Sequence, residues 1–120
     1  MEKHDIIDLA ARTAHTINNA YREALGELPK PDWDRCDEAL KDSARNGVEG
    51  IVKGHTPAQS HENWMAFKAS QGWRYGAEEN AELKTHPNMV AYEQLPPSQR
   101  IKDTIFFSVV RGILFQYGMS

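Results

Sequence analysis

Residues 56–76 read Thr56-Pro57-Ala58-Gln59-Ser60-His61-Glu62-Asn63-Trp64-Met65-Ala66-Phe67-Lys68-Ala69-Ser70-Gln71-Gly72-Trp73-Arg74-Tyr75-Gly76. Thr56 is placed to cap a helix, Pro57 suits its first position, and Gln59 can reach back to the cap. The helix is predicted to run through His61, Trp64, Met65 and Lys68 and to stop at Gly72. His61, Trp64 and Lys68 stand at i, i+3 and i+7, so they share one face. Trp73, Arg74 and Tyr75 follow at once and bring two more aromatics and a guanidinium back toward that face. An indole is a platform for a planar group, and Lys68 and Arg74 could meet an anion beside it. The cluster suits a nucleotide or a related small ligand. The same spacing also fits core indoles at Trp64 and Trp73 with a snorkelling Lys68.

Upstream, Ile6, Ala10, Ala14, Ile17, Tyr21 and Ala24 recur every three to four residues, which predicts an amphipathic helix that Gly26 ends. A second helix is expected from about Pro31-Asp32, with Trp33, Cys36, Leu40, Ala44, Val48 and Ile51 on one stripe. Downstream, residues 73–95 look irregular, broken by Gly76, His86-Pro87 and Pro96-Pro97. Short strands are expected around Trp73–Tyr75 and Met89–Tyr92. A last helix over roughly 98–116 is predicted to bury Ile101, Ile105, Phe106, Val109, Val110, Ile113 and Leu114. The expected fold is mainly α, a compact single domain with short β-strands, in which residues 1–55 form the N-terminal helical part and residues 56–120 carry the motif region.

Composition narrows the function classes. In 120 residues, 14 Lys and Arg stand against 17 Asp and Glu, a net charge of −3, which argues against a strongly basic nucleic-acid binder. No apolar run approaches the roughly 20 residues of a membrane span, and no apolar stretch near the start reads as a secretory signal. A lone Cys36 excludes an internal disulfide and fits a reducing cytoplasm. Its neighbours Asp34 and Asp37 oppose thiolate formation, so it reads as an inert buried thiol. His61-Glu62 begins like a zinc-protease helix, but Met65 stands where the second histidine is needed, so no metal site is expected. No glycine-rich phosphate loop is present, and no cofactor is expected. His15 and Asn18, with Tyr21 or Arg22, make a second polar line on the first helix, suited to a ligand or to hydrogen bonds between helices. Asp103 reads as a first-turn acid that complements the helix dipole.

The run His61-Glu62-Asn63-Trp64, then Lys68, Gly72-Trp73-Arg74-Tyr75-Gly76, Lys84, His86-Pro87, Tyr92, Leu95-Pro96 and Asp103 resembles the RyR domain, the module named after the repeats of ryanodine receptors. The front part, with Ala14-His15-Thr16-Ile17-Asn18, Trp33 and Ser43-Ala44-Arg45-Asn46-Gly47-Val48, is similar to the small stand-alone versions of phages and bacteria. The resemblance implies a peripheral helical module and not an ion channel. It further implies a ligand that is a nucleotide or NAD-derived, with Trp64 as the stacking residue and Lys68 as the partner of phosphate or carboxylate. Trp73 and Tyr75 carry over as motif residues. Because receptor repeats work in pairs, it also implies a homodimer.

The expected function is therefore a non-enzymatic binding module for a nucleotide or NAD-derived metabolite, cytoplasmic in a bacterial host and phage-encoded in one version, acting as a sponge or sensor of defence signals. His61 would hydrogen-bond the sugar or base edge, and Arg74 would join Lys68 at the negative charge. Two other classes stand beside it. One is a protein-interaction or scaffold domain whose aromatic surface docks a partner. The other is an enzyme using Glu62 or His61 as acid and base, for which no paired carboxylates or nucleophile–base set is evident.

Overall fold

The structure, a computed structural model, describes residues 1–119. Helices α1 (Lys3–Ala24), α2 (Glu38–Val52), α3 (Pro57–Ser70) and α4 (Pro97–Gln116) form the frame. Two strands of two residues, β1 (Arg74–Tyr75) and β2 (Thr85–His86), and helical turns at Trp33–Arg35 and Tyr92–Gln94 link them.

The helix ends have local causes. Gly26 takes φ +80° just past α1, so that its N–H returns to Glu23 and that of Glu27 to Arg22, closing the last carbonyls. Thr56 and Gln59 exchange the expected bonds at the start of α3, at 3.2 and 2.9 Å. The second helix starts later than the Pro31-Asp32 expectation. Residues 33–35 make a single turn, Cys36 is extended, and Asp37 caps α2 by accepting the Leu40 N–H at 2.9 Å. A side-chain cap at Asp37 satisfies a donor that a continuous helix would need to bond elsewhere.

The second strand also lies elsewhere than expected. β1 pairs in parallel with Thr85–His86, Arg74 opposite Thr85 and Tyr75 opposite His86, and Met89–Tyr92 forms no strand. The backbone at Val90 instead accepts a bond from the His61 ring. Gly76 makes the β1–β2 approach feasible, because a Cβ there would stand 2.5 Å from Thr85 Cβ.

The core joins Ile6, Ile7, Ala10, Ala11 and Ala14 of α1 to Val48 and Ile51 of α2, to Val110 and Leu114 of α4, and to Trp33. Three expected core positions are corrected: Ile17 and Ile101 are exposed, at 41% and 44%, and so is Ala24 in the last turn of α1. Ile105, Phe106, Val109 and Ile113 are only half-buried, because a stripe of seven apolar residues is wider than the side of α4 that its neighbours cover. α3 adds nothing to this core; its buried residues are Ser60 and His61. The helix meets the others through polar groups, and there the molecule opens.

Candidate functional site

A cleft of about 640 Å³ lies between α3, the C-terminal half of α1, and the N-terminal halves of α2 and α4. Its aromatic wall is built from α3 and the β2 segment. The Trp64 indole stacks on the His61 ring (centroids 5.6 Å apart, 28° between planes) and receives His86 edge-on at 5.1 Å. Lys68 Nζ lies over the Trp73 ring, 4.9 Å from its centroid. His61 is 2% exposed and fixed: Nε2 donates to the Val90 carbonyl at 2.7 Å, and Nδ1 stands 3.6 Å from Asp103 Oδ2. His86 Nδ1 accepts the Asn88 N–H at 3.0 Å, which turns Nε2 toward Glu79 Oε1 at 3.4 Å.

α1 supplies the opposite wall. His15 Nε2 donates to the Pro31 carbonyl at 2.7 Å, with Cys36 Sγ 3.5 Å away. Burial pushes that thiol's pKa up, and the nearby Asp37 and Asp32 act in the same direction, as the inert reading expects. Asn18 Nδ2 donates to the Lys102 carbonyl at 3.2 Å, which leaves Asn18 Oδ1 buried without a partner. Ser60 Oγ and Gln71 Oε1, also in the lining, are buried and unpartnered among the described residues. Unmet buried acceptors cost about 1–3 kcal/mol each, so these atoms would gain from a bond to water or to a guest. The polar line of α1 and the aromatic face of α3, separate in the sequence, are two walls of one cleft.

Five cations from five parts of the chain line it: Arg22 from α1, Lys30 from the following loop, Lys68 from α3, Lys84 from the β1–β2 loop and Lys102 from α4. Burial, then the charges of Arg22, Lys68 and Lys102, pull the Lys30 ammonium down to about 8. Burial lowers Lys68 and Arg22 as well. The same surroundings hold the His86 imidazole at about 4, burial first and the charges of Lys30, Lys102, Lys68 and Arg22 after it. Lys102 is neutralised by Glu27 at 2.6 Å and Lys30 by an ion pair with Glu79. Arg22 bonds Asn19 Oδ1 at 3.1 Å, and among the described residues Lys68 meets only the indole face.

A model of the RyR domain matches residues 33–119. The chain belongs to the RyR domain family. No curated protein and no solved structure matches it. The match to the RyR domain takes in α2, α3, both strands and nearly all that follows; α1, which brings His15, Asn18 and Arg22 to the cleft, precedes it.

Of the residues singled out from the sequence, His61, Trp64, Lys68, Trp73, His15 and Asn18 line the cleft of this RyR domain. Arg74 and Tyr75 do not; both are exposed on β1, Tyr75 at 59%. Asp103 is corrected. It stands six residues into α4, outside the first turn, and faces the cleft, where burial raises its carboxyl to about 7 against the pull of Lys102. Lys30 and Ser60 were not foreseen as site residues; their only local signal is position beside a proline or a cap. His86 stood in the motif run without a role, and Glu79 lines the cleft from the β1–β2 loop. Among the described residues no group of His, Cys, Asp and Glu could hold a metal ion, and no helix is long and apolar enough to cross a membrane.

Proposed function

We propose that this RyR domain is a non-enzymatic binding module for a nucleotide or NAD-derived ligand. The observation that carries the reading is Lys68: a half-buried ammonium with no carboxylate in ion-pair contact among the described residues, over the Trp73 indole, in a cleft shared with four other cations. A half-buried cation without a counter-ion is costly, and an anionic guest supplies one. The volume matches a mononucleotide-sized guest. Trp64 offers the planar surface, Lys68 with Arg22 meets the negative charge, and Asn18 Oδ1 and Ser60 Oγ bond the polar edge. His61 acts as the fixed backing of Trp64, since its Nε2 is held by Val90. The reading extends to a bacterial or phage-borne cytoplasmic protein that captures or senses a signal nucleotide. The cleft is complete within one chain, so the homodimer suggested by paired receptor repeats is not needed for it; sedimentation with and without ligand reads that state.

A second reading, a protein-docking domain, draws on Tyr75 and Leu83, exposed at 59% and 60% on the β1–β2 segment. A thermal-shift panel of ATP, ADP, NAD, ADP-ribose, cyclic ADP-ribose and cyclic oligonucleotides separates the two. A bound ligand stabilises the fold by about 2.7 kcal/mol at a hundredfold excess over Kd. Trp64 lies outside the core, so Trp64→Ala should keep the fold and lose at least about tenfold in affinity, the scale of one base stacked on an aromatic side chain. A panel without a single shift would reject the nucleotide reading in favour of docking.

A further inference from the structure

The cleft already holds negative charge of its own. Glu79 lines it from the β1–β2 loop, with one carboxylate oxygen on the Lys30 ammonium and the other 3.4 Å from His86 Nε2. The surrounding loop is exposed, and the side chain itself is 41% exposed, so solvent is within its reach. Its backbone neighbours are nevertheless pinned. Asn80 and Thr85 exchange backbone bonds at 3.0 and 3.1 Å, Asn80 Oδ1 takes the N–H groups of Glu82 and Leu83, and Thr85 Oγ1 donates to the Glu78 carbonyl. Lys30 is pinned as well: Asn19 accepts its N–H at 3.0 Å and donates to its carbonyl at 2.9 Å. Both members of the pair are aimed into the cleft by backbone bonds, and only the Glu79 side chain has freedom to leave.

We propose that Glu79 is the charge-selecting residue of the cleft. In the unliganded chain its carboxylate fills the place beside Lys30 that a ligand phosphate takes. This rests on the reading that the cleft binds an anionic guest. A phosphate entering beside Lys30 meets a fixed negative charge and must turn the Glu79 side chain out to solvent. The penalty grows with the charge of the guest and vanishes for an uncharged nucleoside. Glu79 therefore favours guests with little negative charge near Lys30 over polyphosphates. Glu78 is the matched control, since it has the same charge, is exposed, and lies outside the lining.

The experiment titrates pyrophosphate, ADP and adenosine calorimetrically into the wild type, Glu79→Gln, Glu78→Gln and the double variant Glu79→Gln/Lys30→Gln. In Glu79→Gln, pyrophosphate and ADP should bind at least about tenfold more tightly, as expected when a like charge is removed from a binding site. Adenosine should be unchanged, Glu78→Gln should match the wild type, and the double variant should lose the gain. Pyrophosphate binding that is no tighter in Glu79→Gln than in the wild type, whether measurable or absent in both, overturns the proposal. So does a gain that Glu78→Gln reproduces or that survives the loss of Lys30. A pyrophosphate gain with no binding of ADP or adenosine by any variant defeats the nucleotide reading and leaves the role of Glu79 standing.

Discussion

Three of the helices are apolar at one end of the molecule and polar at the other. The buried stripe of α1 runs through Ile6, Ile7, Ala10, Ala11 and Ala14 and then continues as His15 and Asn18. In α4, Val110 and Leu114 are sealed, while Lys102 and Asp103 face the cleft two turns earlier. α2 divides likewise, with its cap Asp37 and Ser43 in the lining and Val48 and Ile51 in the core. The end of α1 shares the cleft with the starts of α2 and α4, and its first half shares the core with their later halves, so both run antiparallel to α1 and the apolar halves coincide as the polar halves do. Equal burial thus serves two purposes. At one end it removes apolar area from water and stabilises the fold. At the other it desolvates cations and leaves acceptors unmet, which favours a guest over stability.

The largest effect that sharpens this contrast is at the apolar end. Leu114 is 1% exposed, and Leu114→Ala should lower the unfolding free energy by about 3 kcal/mol in urea titrations. Cleft affinity, measured on the folded protein, should be unchanged; a parallel loss of binding would show that the two ends are not independent.

The polar end should reveal itself through pH. Asp103 is raised from 3.8 to about 7, so the native state holds a proton that the unfolded chain releases, and its contribution to stability is lost as pH rises across that window. His86 is lowered from 6.5 to about 4, so its contribution is lost as pH falls across nearly the same window. The two oppose each other in the wild type. Relative to it, Asp103→Asn should make stability climb between pH 4 and 6.5, and His86→Asn should make it decline between pH 4 and 7. Each pKa unit is worth about 1.4 kcal/mol, so the divergence should be plain in denaturation midpoints across the series. Two variants that track the wild-type curve would break the description of this end as desolvated.

The smallest effect belongs outside both ends. Arg74→Ala and Tyr75→Ala should each shift stability by no more than about 0.5 kcal/mol and leave ligand affinity within about twofold, since neither side chain lines the cleft. A large loss in either would move the binding surface onto β1 and favour protein docking.

Much of the fold was legible in the sequence because its causes are local. The Thr56–Gln59 box, Gly26 and the stop at Gly72 act within one helical turn, and α4 begins within a residue of its expected start. The strand at Thr85–His86 was not legible, since two residues carry no periodicity and their pairing depends on Gly76 meeting Thr85 nine residues away. The site was half legible. His61, Trp64 and Lys68 share a face by helix geometry alone, and Asn18 makes a bond between helices, one of the roles its spacing offered; Ile17, which hydropathy puts inside, is exposed, because the end of α1 meets α4 through the polar groups of Asn18 and Tyr21.

By itself the sequence determined four helical stretches, the cap of α3, the stop of α1, the aromatic face of α3 and membership of the RyR domain family, all of which follow from short-range spacing or from a motif in order. Only the tertiary structure decided that the polar line of α1 and the aromatic face of α3 enclose one cleft, that Arg22, Lys30, Lys68 and Lys102 converge there, and that Asp103 keeps its proton near neutrality. The reason is physical. Desolvation and charge–charge coupling depend on distances through space, and helix packing sets those distances between residues as far apart in sequence as Asn18 and Lys102, 84 positions.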